Sequence, residues 1–587
     1  MFDLTGCDDT PMKLRRLVYA IPLVFLAIFF FYPLAAILRL SFAGDPTFAP
    51  SGGGLAKLFA DSYYLEVIWF STWQALLSTV LTLLIALPAT YVFARYQFPA
   101  KTLLRAIATA PFVLPTVVVA AAFKALLGPR DMLNTLLQAW LGLGEPPIRL
   151  DQTLALVLLA HVFYNYSVVL RIVGGFWSTL DSSLEQAAAV LGASRLRALR
   201  EVTLPMLLPS IGAAALLIFI FTFASFGVIR ILGGPRFATV EVEVYRLTSD
   251  LLRLDVAAAL ALVQMAATLA MTVVYTRLQA RASVPLDVRA RAANARPIRS
   301  WRARLLVGAN IAVLLLLIGA PLLALALRSI TSLTADASGG LTLDYYRLLS
   351  QNRNRSFFFI SPLVAIGNSL RFALAATALA LLVGVPAAYL LAQRTKNKEQ
   401  TARQPQSGPF VLSSLFFVLD PLFMLPLGTS AVTLGLGYII ALGRPPLNLL
   451  ASPWLIPVAH TLLAFPFVLR SLLPALRALD PRLREAARAL GASPIHVLRE
   501  IDLPLLFPAL LVGAVFAFTV SIGEFGAALL LARPEYQTVP VVIDRLFGLP
   551  GASNYGQALA LSTILMLVTT ISFVLLERVR FRDLGEF

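Results

Sequence analysis

Residues 180–210 read LDSSLEQAAAVLGASRLRALREVTLPMLLPS, and residues 479–509 read LDPRLREAARALGASPIHVLREIDLPLLFPA; 16 of these 31 positions are identical without a gap. A constant offset of 299 residues carries the match back to His161 over His460 and forward through Phe226-Gly227 over Phe525-Gly526 to Arg246-Leu247 over Arg545-Leu546. Earlier, Pro88-Ala89 and Tyr91 lie over Pro386-Ala387 and Tyr389 at an offset of 298. A register held this far marks a duplicated chain, two homologous halves joined head to tail.

The quoted stretch is written as a helix, a sharp turn and a second helix. Ser182 with Glu185 three residues on makes a capping box at the first helix start, and Asp480 before Pro481 supplies a capping side chain and a first-turn proline in the other copy. Gly192 and Gly491 stand where a helix stops in the left-handed conformation. Ser194 and Ser493, the latter before Pro494, open the second helix, which leads to Leu204-Pro205 and Leu503-Pro504. Each copy is therefore a helix-turn-helix elbow.

Around the elbows the chain is apolar. Hydrophobic residues make up 58% of it and charged residues 13%, and the mean hydropathy is +0.80. A soluble fold could not hide that much apolar surface. Runs such as 17–38, 107–127, 207–228, 305–327 and 411–442 reach the roughly 20 residues that a helix needs to cross a bilayer. The pattern predicts spans near 17–38, 67–94, 107–127, 153–177, 207–230 and 254–276, then 305–327, 362–392, 411–442, 453–475, 507–531 and 554–576. The fold class expected is an all-α polytopic membrane protein of about twelve transmembrane helices, six in each half. The first half takes residues 1–276 with its elbow near 178–206, and the second takes 305–587 with its elbow near 477–505. Parallel halves related by an axis along the membrane normal follow from an even number of spans per half.

The net charge of +17 belongs to the membrane boundary. The linker 277–304 holds Arg277, Arg281, Arg289, Arg291, Arg296, Arg299, Arg302 and Arg304 against one acid, Asp287. Such a cluster beside span ends is the mark of a cytoplasmic loop, and an even span count puts the basic N-terminal tail on the same side. Nucleic acid is not the expected partner, because the aromatics lie inside apolar runs and not between the basic residues. The single cysteine, Cys7, excludes an internal disulfide and a multi-cysteine metal site. Lys13, Arg15 and Arg16 precede a run too long for a signal core, so the first span is read as retained.

The elbow resembles the loop of permeases in binding-protein-dependent ABC importers written E-A-A, three residues, G, then about nine residues to a hydrophobic-x-L-P. The second copy reads Glu485-Ala486-Ala487, Gly491, Ile501, Leu503-Pro504; the first reads Gln186-Ala187-Ala188, Gly192, Val202, Leu204-Pro205, with Gln where Glu is usual. The resemblance implies a type I importer permease whose elbows dock in clefts of two copies of an ATP-binding cassette ATPase. It also implies an extracytoplasmic substrate-binding protein as partner, and a multi-pass place in the bacterial inner membrane with both termini cytoplasmic. The energy source is expected on a separate chain: no Gly-Lys dipeptide occurs, hence no P-loop to cradle phosphates. No cofactor is expected.

Ionisable groups at membrane depth are costly and mark substrate paths. Glu524, with Ser225 at its repeat position, is the candidate for meeting a cationic substrate; the alternative is a structural carboxylate satisfied by a neighbouring hydroxyl or by a basic residue near the span end. Asp420 before Pro421 reads as the cap of a broken helix, and His161 and His460 as packing or hydrogen-bonding groups, not metal ligands. Residues 223–247, 159–165 and 521–526 are similar to permeases of the thiamine transporter family; fused permeases for ferric iron share the architecture and stand as the alternative. An ion-coupled secondary transporter would need buried charge pairs, and a membrane-embedded enzyme would need clustered His, Asp or Glu within the spans.

Overall fold

The computed structural model of the chain describes residues 12–43, 53–180, 182–282, 296–332, 340–351, 361–403, 419–443, 445 and 447–584. In the first half α1 (Tyr19–Ala43), α2 (Ser62–Arg95), α3 (Lys101–Val113), α4 (Thr116–Leu141), α5 (Leu154–Thr179), α6 (Ser182–Val190), α7 (Leu196–Phe223), α8 (Val240–Ser249) and α9 (Leu254–Gln279) follow one another. The second half repeats them as α10 (Trp301–Arg328), α11 (Pro362–Ala392), α12 (Leu422–Gly428), α13 (Ala431–Leu442), α14 (Leu455–Ala478), α15 (Pro481–Ala489) and α16 (Ile495–Ile522). It closes with α17 (Gly526–Leu531), α18 (Val539–Gly548) and α19 (Ala552–Leu575). Among the described residues ten helices are long and apolar enough to span a bilayer, or twelve if each bent pair, α3–α4 and α12–α13, counts as one span.

The bent pairs account for the third span of each half in the expected count of about twelve. The third span of each half folds back at its middle, by 113° between α3 and α4 and by 106° between α12 and α13. Pro115 causes the first break: it offers no N–H, and it holds Leu114 extended, with ψ at 137°, as the residue before a proline must be. At the second break Ser430 caps α13, its Oγ accepting from the Val432 and Thr433 amides at 3.1 and 3.3 Å. The start of the expected span 411–442 and part of the arginine linker lie outside the described residues, as do the side chains of Asp420 and Ser182.

A revision concerns the fifth spans, expected at 207–230 and 507–531. Each begins inside its elbow and runs through the Leu-Pro pair to Phe223 or Ile522. A wide π-turn, Leu199–Thr203 in one half and Leu498–Asp502 in the other, precedes Pro205 and Pro504. That turn makes room for the proline ring and its missing hydrogen bond, so the helix passes instead of breaking.

Polarity is inverted relative to a soluble helix. Along α2 Trp69 (66% exposed), Leu76 and Leu84 face outward, whereas Ser71, Gln74, Ser78 and Thr82 are buried. Apolar groups can face out at no cost only where the surroundings are hydrocarbon, and the inward polar groups then need partners within the protein. They have them: Gln74 Nε2 donates to Thr222 O at 2.9 Å, and Ser71 Oγ accepts from the Val240 amide at 2.9 Å. The repeat preserves the latter bond, since Ser369 Oγ accepts from the Val539 amide at 2.8 Å.

The first helix of each half reaches into the other half, although Ile37 and Leu40 of α1 stay packed on Ala258 of α9 in their own half. Leu26 and Phe30 of α1 join the core built by α11, α14 and α16, while Leu314, Ile318, Ala324 and Leu325 of α10 join the core of the first half. Burial of two apolar helices across the junction thus binds the halves together. At the end of the bundle away from the elbows Asp131 adds to this, accepting from Arg328 Nε at 3.2 Å and Tyr555 Oη at 2.8 Å; Arg230 meets Asp544 at 3.2 Å.

Candidate functional site

The turns of both elbows have the geometry that their sequence specifies. Gly192 and Gly491 adopt φ of 85° and 84°, the left-handed region in which a side chain is strained. Asp480 caps α15, its Oδ1 accepting from the Arg482 amide at 3.0 Å, and Ser194 Oγ accepts from the Arg197 amide at 3.3 Å. The two elbow helices are tied together at one repeat position by different chemistry: Thr203 Oγ1 donates to Glu185 at 3.0 Å in the first, and Arg484 Nε to Asp502 at 2.7 Å in the second. Glu185 also takes Arg95 Nη2 at 2.5 Å, which fastens the first elbow to the end of α2. At the tips Leu191 and Leu490 are each 88% exposed. Gln186, Ala187, Glu485 and Ala486 are exposed as well, with Ala188 and Ala487 half-buried beside them. These residues form one face on each elbow.

A cavity of about 450 Å³ lies between the halves. The breaks of both third spans and the far ends of α7 and α16 shape it, because Phe112–Thr116, Ser430–Val432, Phe221, Thr222, Ala224–Val228 and Gly523–Gly526 all contribute to its wall. Phe226 and Phe525, equivalent in the repeat, stack at 5.4 Å between centroids, so the pseudo-twofold axis passes between them. Close approach here requires glycine: a Cβ on Gly227 would stand 2.3 Å from Thr116 Oγ1, and one on Gly523 would stand 2.9 Å from Pro115.

The structure brings the sequence candidates Ser225 and Glu524 to this wall, with a histidine beside each. His161 Nε2 bonds Ser225 Oγ at 2.9 Å and its Nδ1 bonds Ser78 Oγ at 3.0 Å. In the other half His460 Nδ1 bonds Ser521 Oγ at 2.8 Å, and its Nε2 stands 3.1 Å from Glu524 Oε2 without hydrogen-bond alignment. The Glu524 oxygens turn instead to the amides of Ala527 and Ala528, each at 2.9 Å. Glu524 is thus the cap of α17, placed just beyond the end of α16 and not within it as the pattern implied. A short helix that starts inside the membrane leaves amides to be satisfied, and a carboxylate does so best.

Glu241 was not singled out in the sequence. It is 2% exposed, lines the same cavity, and accepts from Gln264 Nε2 at 2.6 Å and from Ser430 Oγ of the second half at 2.7 Å. Among the described residues the cavity wall holds seven phenylalanine and tyrosine rings, these two carboxylates and no lysine or arginine. Such a lining suits an organic cation: carboxylates attract its charge and aromatic faces its ring.

Residues 86–284 and 409–582 match the family described as "Binding-protein-dependent transport system inner membrane component". The thiamine transport system permease protein of Salmonella typhimurium is 27% identical over 542 residues, 90% of this chain and 91% of that one. Its counterpart in Brucella abortus is 26% identical over 529 residues, 88% and 90%. A probable ABC transporter permease protein of Sinorhizobium fredii is 26% identical over 484 residues, 81% of each. Among solved structures, a chain of a bacterial ABC transporter involved in the import of the polysaccharide alginate is 19% identical, with a TM-score of 0.37 over 46% of this chain and 97% of that one.

Proposed function

This chain belongs to the family of inner membrane components of binding-protein-dependent transport systems, and from that premise we propose that it forms the translocation path of an importer for thiamine or its phosphates. Two copies of a separate ATP-binding cassette ATPase drive it, and an extracytoplasmic binding protein delivers the substrate. Both termini and both elbows face the cytoplasm.

The observation that carries the substrate reading is the cavity between the halves, with its aromatic rings, Glu241 and Glu524 and, among the described residues, no lysine or arginine. Thiamine is an aromatic cation, and relatives along most of the chain are thiamine permeases. A ferric ion would find few oxygen ligands among so many rings.

The coupling route follows from helix continuity. The exposed face of each elbow, with Gln186, Ala187, Ala188 and Gly192 in one and Glu485, Ala486, Ala487 and Gly491 in the other, seats in an ATPase subunit. α7 and α16 begin inside the elbows and run 28 residues each to the cavity wall, about 42 Å at 1.5 Å per residue. Closure of the ATPase pair therefore moves the cavity wall directly. The halves, joined by side chains at Phe226–Phe525 and Glu241–Ser430, part toward one side or the other in alternating access.

Reconstitution with the cognate ATPase and binding protein in liposomes tests this. ATP-dependent accumulation of labelled thiamine, and none of ferric iron, is expected; iron uptake without thiamine uptake would replace the substrate reading, and uptake without ATP would replace the importer reading.

A further inference from the structure

Glu241 and Glu524 share one cavity, but their charges are compensated differently. Glu524 accepts from two backbone amides at the start of a helix and faces His460, so its charge rests on a helix N-terminus. Glu241 has two neutral donors, Gln264 Nε2 and Ser430 Oγ, one to each oxygen. A carboxylate can accept about four hydrogen bonds, so each oxygen keeps capacity toward the cavity. Neutral donors orient a buried anion without neutralising it, and an anion buried without a counter-charge is costly. Among the described residues no lysine or arginine of the cavity wall supplies that charge.

We propose that Glu241 is the specificity-determining residue of the path, the group that takes the positively charged ring of the substrate, while Glu524 holds the wall in shape. The assignment rests on the thiamine reading and deepens it. Gln264 and Ser430 hold the carboxylate in place, and Phe226 and Phe525 in the same wall offer faces to the ring. The Ser430 bond crosses the junction between the halves, so the subsite is complete only while they are together. Parting them removes one of the two groups that position the carboxylate, which lowers affinity as the path opens and favours release.

Two substitutions at Glu241 separate charge recognition from a structural bond. Glu241→Gln keeps length and can still bond Ser430 and Gln264, but has no charge; Glu241→Asp keeps the charge and shortens the reach. Recognition of a cation predicts a fall in thiamine uptake per folded complex of about tenfold or more for Gln, the scale of one charge-assisted contact, and a smaller fall for Asp. A purely structural bond predicts the reverse order. Equal uptake in wild type and Gln, or a loss in Asp as large as in Gln, overturns the proposal. Should Gln fail to fold, the wild-type complex still decides: millimolar thiamine should raise its thermal stability, and the analogue with a neutral thiophene in place of the thiazolium should not. Equal shifts, or none with thiamine, overturn the assignment to Glu241. Absence of thiamine uptake by the wild type overturns the parent reading and this one together, whereas normal wild-type uptake with the wrong order of variants overturns this one alone.

Discussion

Replacing Gly491 by leucine strains one elbow through its backbone alone. The residue sits at φ of 84°, and a Cβ built there meets nothing within 4 Å, so no steric clash confuses the result. Holding an L-residue in the left-handed region costs roughly 1–2 kcal/mol, which lowers the population of the folded elbow about 5- to 30-fold relative to its alternatives. Leu490 at the tip would then be presented in the wrong direction to the ATPase. The assay is ATP hydrolysed per thiamine taken up in reconstituted liposomes, together with the fraction of ATPase that copurifies. Leucine should raise the first and lower the second; asparagine, which tolerates this region, should do much less. Gly192→Leu should match it, since φ there is 85°. Wild-type coupling in the leucine variants, or asparagine as damaging as leucine, would refute the claim that the left-handed turn orients the elbow.

Glu524→Gln leaves one acceptor where two amides, of Ala527 and Ala528, now bond; an orphaned buried amide costs about 1–3 kcal/mol, so the melting midpoint of the purified complex should fall, and an unchanged midpoint contradicts the capping role. Glu485→Gln should couple better than Glu485→Ala, since Gln186 shows an amide at that position in the other half; equal losses in ATPase-driven uptake count against a polar contact there. Phe226→Ala and Phe525→Ala, singly and together, should give a coupling energy of about 0.5–1.5 kcal/mol in thermal or denaturant unfolding, and strict additivity would mean that the ring stack at 5.4 Å contributes nothing of its own.

Much of the fold was legible because it is written in local chemistry. The elbow glycines and the Asp480 cap fell where the pattern placed them, since left-handed turns and helix starts depend on a few neighbouring residues. The repeat register also aligned His161 with His460 and Ser225 with Glu524, but only the bundle, by bringing the fourth and fifth spans together, set His161 against Ser225 and His460 against Ser521. Span ends were less legible. Pro115 broke a helix and Pro205 did not; the difference is the π-turn Leu199–Thr203, whose hydrogen bonds have no marker in composition. Glu241 escaped because a search for ionisable groups within spans passes over a short helix between them; its position in a run that repeats apolar and acidic residues, Val240-Glu241-Val242-Glu243, was the available signal.

By itself the sequence determined a membrane-embedded, duplicated helical chain with two elbows, because hydropathy, an ungapped repeat and turn residues are properties of neighbours along the chain. Only the tertiary structure decided that α1 and α10 each reach into the other half, that both third spans fold back to open a cavity on the pseudo-twofold axis, and that Glu241 meets Ser430 across the junction of the halves at 2.7 Å. Those outcomes depend on which apolar faces bury against which, and residues 189 positions apart become neighbours only when that packing energy has selected one arrangement.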